Sequence, residues 1–194
     1  MALSQPEKPR PKVKTRFSEP YQAERELRGF KREAIIKTAL ELSLGPSWEI
    51  RPVPYNGPEL GHRPDLEVIG PNGLLVAEIE VSGGLQSWAT IKANGIYVLP
   101  DKLAWAEAHD PISYIYAYHL DRYHHVLWAP GQRLLALKPR ARPVKLRTRH
   151  TRDLGLWEHY LAFPLSAFSS SWPRLIRYIR WLAGEPLNMP IRGD

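Results

Sequence analysis

The chain has 194 residues, 43% of them apolar and 24% charged, which is material for one ordinary domain with a hydrophobic core. Its net charge of +7 is uneven: residues 1–16 carry +4, residues 133–152 carry +8 with no acid, and subtracting both leaves −5 for the rest. The absence of cysteine excludes disulfide frameworks, thiolate zinc sites and cysteine nucleophiles, and no apolar run reaches the roughly 18 residues of a membrane helix.

Residues 1–19 mix Pro, Lys and Ser with little that is apolar, and read as a flexible basic arm without the apolar stretch of a secretory signal. A cytoplasmic protein, with residues 20–194 as one domain, is the expectation. Pro numbers 19 against ten for Asn, Gln, Met and Cys together, a bias that points to a heat-loving source or a GC-rich genome. The spacing of Leu27, Phe30, Ala34, Thr38 and Leu42 predicts a helix from Tyr21 to Leu44, stopped by Gly45-Pro46. Trp48 to Val53 alternates as an edge strand containing Pro52, and a Pro/Gly-rich loop follows to Pro64. Two strands, Asp65–Ile69 and Leu74–Val81, flank the turn Gly70-Pro71-Asn72-Gly73, with Ser82-Gly83-Gly84 ending the second.

Residues 85–94 have weak helical character, and Ile96–Leu99 reads as a buried strand. Asp101 is placed to cap a helix running to Ala108. Ser113–Tyr118 and Tyr123–Trp128 follow as antiparallel strands, then the basic stretch and a late strand, Trp157–Phe163. Ser171 or Ser170 caps a last helix with Pro173 in its first turn and Trp172, Leu175, Ile176, Ile179 and Leu182 on its apolar face. This order predicts an α/β fold in which a mixed central sheet is flanked by helices.

The hairpin carries the informative pattern. Glu78 and Glu80 are two apart on a strand and face one side, while Ala77, Ile79 and Val81 face the other. A four-residue loop closing Ile69 against Leu74 sets Asp65 opposite Glu78, with Cβ atoms about 4.5–5.5 Å apart. Carboxylates so placed repel, and a divalent cation with oxygen ligands removes the conflict. A solvated face with basic neighbours would also remove it.

Arg63-Pro64-Asp65, a dozen residues of hairpin and Glu78-Ile79-Glu80 resemble the PD-(D/E)XK, restriction-endonuclease-like, nuclease superfamily. Gly29-Phe30-Lys31-Arg32-Glu33 is similar to the acid-bearing helix that precedes that motif, so the resemblance spans about residues 28–100. Glu80 stands where the family pattern has Lys. The resemblance implies Mg²⁺ or Mn²⁺ held by Asp65 and Glu78. Glu80 would be a further ligand or would orient the attacking water, Lys92 would stabilise charge on the phosphate, and Glu33 would bind a metal-coordinated water. Lys92 equally fits a solvated helix lysine, and Glu33 an exposed i,i+4 partner of Lys37. Gln86 resembles a glutamine of some exonuclease-like relatives and equally fits a surface residue.

Other chemistry is thinly represented. His124-His125 points to opposite faces if on a strand, and His119 adds no zinc-ligand spacing. Gly83-Gly84 lacks the residues of a phosphate loop. The segment 133–152, with Arg140, Arg142, Lys145, Arg147, Arg149 and Arg152, is self-repelling unless a polyanion neutralises it, and nucleic-acid backbone is the natural counterion. The expectation is a DNA nuclease, acting as a homodimer where it cuts both strands. The alternative is a nuclease fold kept for DNA binding or assembly without catalysis.

Overall fold

The computed structural model describes residues 19–54, 63–146 and 157–186, with the backbone alone for residues 19–26. Residues 1–18 of the proposed basic arm, the loop residues 55–62 and the positions of Arg147, Arg149 and Arg152 lie outside the described residues, while Glu19, assigned to that arm, opens the first helix. Helix α1 (Glu19–Leu44) runs into the turn at Gly45 and strand β1 (Glu49–Pro52). Then come β2 (Leu66–Ile69), β3 (Leu75–Gly84), α2 (Trp88–Asn94), β4 (Ile96–Val98) and α3 (Pro100–Ala108). The second half holds β5 (Tyr114–Leu120), β6 (His125–Pro130), α4 (Gly131–Leu137), β7 (Arg142–Leu146), β8 (Glu158–Phe163) and α5 (Trp172–Leu182). Among the described residues no helix is long and apolar enough to cross a membrane.

The central sheet is five-stranded and mixed, in the order β1-β2-β3-β5-β6, with β3 and β5 parallel. The fold class is the expected one, a mixed sheet with helices on its faces. The strand at Ile96 belongs instead to a separate antiparallel sheet of order β4-β8-β7. One face of the central sheet, with Val68, Ile79, Ile115 and Ala117, packs on α1 and α5. The opposite face, with Tyr114, Tyr116 and Tyr118, packs on α3, α4 and the smaller sheet. Strand β5 is therefore buried along its whole length, as a strand covered on both faces must be.

Three local expectations are corrected. The stripe of α1 that enters the core is Ile36, Leu40 and Leu44, whereas Leu27, Phe30 and Leu42 are exposed. Both sets fit a helical period, and the sheet selects between them. Strand β3 continues through Ser82-Gly83-Gly84 because each of these residues is paired with β5. Helix α3 starts with Pro100 after Leu99, so Asp101 lies inside the first turn rather than at the cap. The basic segment is likewise ordered up to Leu146, as α4, a 3₁₀ turn and the edge strand β7.

Within the smaller sheet the chain passes tightly against β8 where α2 leads into β4. Gly95 has φ +81°, and a Cβ there would lie 2.3 Å from the carbonyl oxygen of Phe163. Gly73 in the hairpin turn has φ +75° with open space around it. Gly73→Ala is expected to cost about 1–2 kcal/mol for the left-handed backbone alone. Gly95→Ala should cost clearly more, since the backbone of β8 must also move. Urea unfolding of the two variants compares them directly, and equal losses would show that β8 yields freely.

Candidate active site

The hairpin brings its acids to one face of the sheet, although two positions out of the expected register. Leu66 pairs with Ile79 and Glu67 with Glu78. Glu67, not Asp65, is therefore opposite Glu78. Two small departures add up to this slip. The turn closes with Gly70 N–H on the Leu74 carbonyl, and a bulge follows between Val68 and Ile69. A slip of two preserves the face, so Glu78 and Glu80 still point away from the α1 core. Their parallel neighbours on β5 are Tyr114 and Tyr116.

Asp65 is fixed just before β2 begins. Its N–H donates to the Ile79 carbonyl, its own carbonyl accepts from Val53, and its Oδ2 accepts the Val81 N–H at 2.7 Å. Pro64 has no N–H to extend the ladder, and the Asp65 side chain takes the place of a backbone partner for Val81. Burial raises the Asp65 pKa; the Lys102 charge and the Val81 hydrogen bond oppose the rise without cancelling it. Glu33 on α1 is half-buried, and its pKa is raised by burial and by the Asp65 charge, with Lys102 opposing. Lys37 pairs with Glu41, so Glu33 faces the hairpin acids rather than joining an exposed pair along its own helix.

The lysine at this site is Lys102, which sequence spacing did not single out. It forms an ion pair with Glu80, whose side chain is fully buried. Helix α3 carries it into place: Tyr114 Oη donates to the Lys102 carbonyl at 2.6 Å, and Leu103 and Ala106 bury the helix's inner face. One turn on, Trp105 Nε1 donates to Glu78 Oε2 at 2.9 Å. Trp105 is itself flanked by the His109 ring, stacked at 3.8 Å, and by the Arg63 guanidinium at 5.8 Å. Lys102 and Trp105 are three apart in the helix that follows β4, a spacing that sets two side chains on one face. That pairing was the available signal. Lys92 lies exposed on α2. Gln86 is not a free surface residue, for it accepts a hydrogen bond from Tyr118 Oη at 2.8 Å.

The donor set is all oxygen, which suits a hard cation such as Mg²⁺. Among the described residues, however, no three His, Cys, Asp or Glu side chains are gathered closely enough to hold a metal ion. Glu80 is already neutralised by Lys102. Asp65 and Glu78 are the carboxylates left to meet a cation, and the unrelieved desolvation of Asp65 fits that use.

The raised Asp65 pKa has a sign that can be measured. In the unfolded chain Asp65 ionises at its ordinary value of 3.8, whereas in the fold it keeps its proton to higher pH. The folded state is thus favoured below 3.8 and loses that advantage as pH rises through the raised value. In EDTA at pH 7, Asp65→Asn should raise Tm, by about 2–4 °C per kcal/mol of relieved penalty. The gain should shrink as pH falls towards 3.8. A variant less stable than wild type at pH 7 would show that the carboxylate is net stabilising.

No protein-family profile matches the chain, and no curated protein matches it in sequence. Among solved structures it is similar to D212, a nuclease from a fusselovirus. The match has 18% identity and a TM-score of 0.54, and covers 80% of this chain and 94% of that one. The chain thus has a restriction-endonuclease-like fold, a mixed central sheet flanked by helices.

Proposed function

We propose that this protein is a metal-dependent nuclease that hydrolyses DNA phosphodiester bonds at the β2–β3 acids. The observation that carries the reading is that Glu78 and Glu80 share one face of β3, with Asp65 bonded to Val81, Lys102 paired with Glu80, and Glu33 near enough from α1 to interact with the charges of Asp65 and Lys102. The fold shared with a viral nuclease supports it.

In this reading Asp65 and Glu78 hold Mg²⁺ or Mn²⁺. The bound ion would lower the pKa of water and offset charge at the phosphorus. Trp105 keeps the Glu78 carboxylate turned towards the site through its indole N–H. Glu80, buried and acceptor-only when ionised, holds the Lys102 ammonium beside the acids, where it can meet a phosphate oxygen. Lys102 then supplies the cation that the family pattern places at position 80. Glu33 orients a water next to Asp65.

DNA would be held by cations that carry no sequence information. Arg140, Arg142 and Lys145 are exposed on the 3₁₀ turn and β7. Arg142 makes a long hydrogen bond of 3.4 Å to the Asn94 carbonyl. A second reading, a nuclease fold kept for DNA binding alone, draws on the Glu80–Lys102 pair, because an acid so neutralised is a poor metal ligand.

Plasmid, branched and single-stranded DNA incubated with Mg²⁺, Mn²⁺ or EDTA separates the two. Cleavage should require metal. It should fall by about 100-fold or more in Asp65→Asn, Glu78→Gln and Lys102→Met. Binding without cleavage in either metal, on all three substrates, would leave the second reading. In a separate binding assay, replacing Arg140, Arg142 and Lys145 with Gln should weaken DNA affinity. It should also reduce the slope of log K against log salt by about 0.9 for each duplex phosphate no longer neutralised, and an unchanged slope would remove these residues from the interface.

A further inference from the structure

An open pocket of about 290 Å³ that the carboxylate site does not use lies between α1 and the far ends of β3 and β5. Arg28, Lys31 and Arg32 reach it from α1, and His119 and Asp121 from the end of β5. Arg32 lies directly across Gly83, where a Cβ would come within 2.7 Å of its Nε, so the arginine's path requires glycine there. Its guanidinium grips Asp121 in a bidentate pair, Nε to Oδ1 at 2.8 Å and Nη2 to Oδ2 at 2.5 Å. Burial disfavours the Asp121 charge, but the hydrogen bonds from Arg32 and His119 outweigh it and lower the pKa. The lining thus includes three cationic side chains, Arg28, Lys31 and Arg32, and one carboxylate, Asp121.

His119 makes the cavity more than a basic patch. Its side chain is almost wholly buried, and Nδ1 lies 2.9 Å from Asp121 Oδ1. An ionised carboxylate can only accept, so Nδ1 carries the proton of that bond. Nε2 is buried and, among the described residues, has no hydrogen-bond partner. Orphaned buried polar atoms are rare in native proteins, and this one belongs to a residue lining a cationic cavity.

We propose that this cavity is a phosphate site, taking one phosphate of a nucleic-acid strand while another lies at the carboxylates. Arg28 and Lys31 supply charge. His119 Nε2, the acceptor nitrogen while Nδ1 carries the imidazole proton, takes the hydrogen of a phosphate P–OH or, once itself protonated, donates to a phosphodiester oxygen. Identifying the phosphate with nucleic acid rests on the nuclease reading, whereas the oxyanion chemistry does not. Arg32 and Glu33 are adjacent in α1, one turned to this cavity and the other to Asp65. Gly83 lies three residues beyond Glu80, about 10 Å along an extended strand. The exposed Ile35 and Leu85 at the rim offer apolar surface for a sugar or base.

Titrating the protein with inorganic phosphate in EDTA, while following histidine side-chain ¹H–¹⁵N signals, tests the site without any cleavage. Saturable shifts of His119 are expected, with chloride at equal ionic strength as the control. Affinity should fall about tenfold in the surface double variant Arg28→Gln/Lys31→Gln, which lacks two charge-assisted hydrogen-bond donors. Displacement of phosphate by 5′-phosphorylated octathymidylate better than by its 5′-hydroxyl form would assign the site to a strand end. Equal displacement would assign it to internal phosphodiesters. Displacement by neither overturns the nucleic-acid assignment. Absence of a saturable His119 shift, or equal affinity in a double variant that circular dichroism shows to be folded, overturns the site itself. Because no cleavage is read, a failure here is distinct from a failure of the nuclease reading.

Discussion

A buried carboxylate needs a partner, and the pairing of Glu80 with Lys102 is the constraint around which the site is arranged. Glu80 lies on β3 with no solvent access, next to the tyrosine column of β5. The ammonium that α3 brings to it offsets its charge there. That placement depends on the Tyr114 hydroxyl bonding the Lys102 carbonyl, and on Leu103 and Ala106 being seated in the second core. The smaller sheet, through β8 against α3, is therefore part of what builds the carboxylate site on the larger one.

The same helix explains why the other acids are arranged as they are. Trp105 occupies one oxygen of Glu78. Asp65, bonded by the Val81 amide yet still penalised by burial, is left as the carboxylate with most to gain from a cation. Glu33 adds a second desolvated acid from the opposite side. Burial thus penalises the charged forms of two acids that flank one ion pair.

Helix α1 links this centre to a region of opposite sign. Consecutive residues Arg32 and Glu33 serve the two, with Arg32 closing over Gly83 on to Asp121. An acidic centre and a basic cavity on one sheet suit a polyanion that must be held at one point and reached by a cation at another. The net charge of the whole chain conceals this division. It is the distribution, not the sum, that bears on function.

Much of this was legible in the chain itself. Period-two alternation told which hairpin residues share a face, and that survived a register slip of two because the side-chain period is two. Proline, glycine and serine marked the C-terminal end of α1, the hairpin turn and the cap of α5, where Ser171 accepts from the Arg174 amide. Local rules reach these features because neighbours in sequence determine them. The residue opposite Glu78, the stripe of α1 that is buried, the continuation of β3 past Ser82 and the identity of the lysine depend on elements distant in the chain. Lys102 is 22 residues from Glu80, and only the packing of α3 against β5 and β8 brings its ammonium to a buried carboxylate. Sequence supplied the acids and their face; the tertiary structure decided which cation answers them.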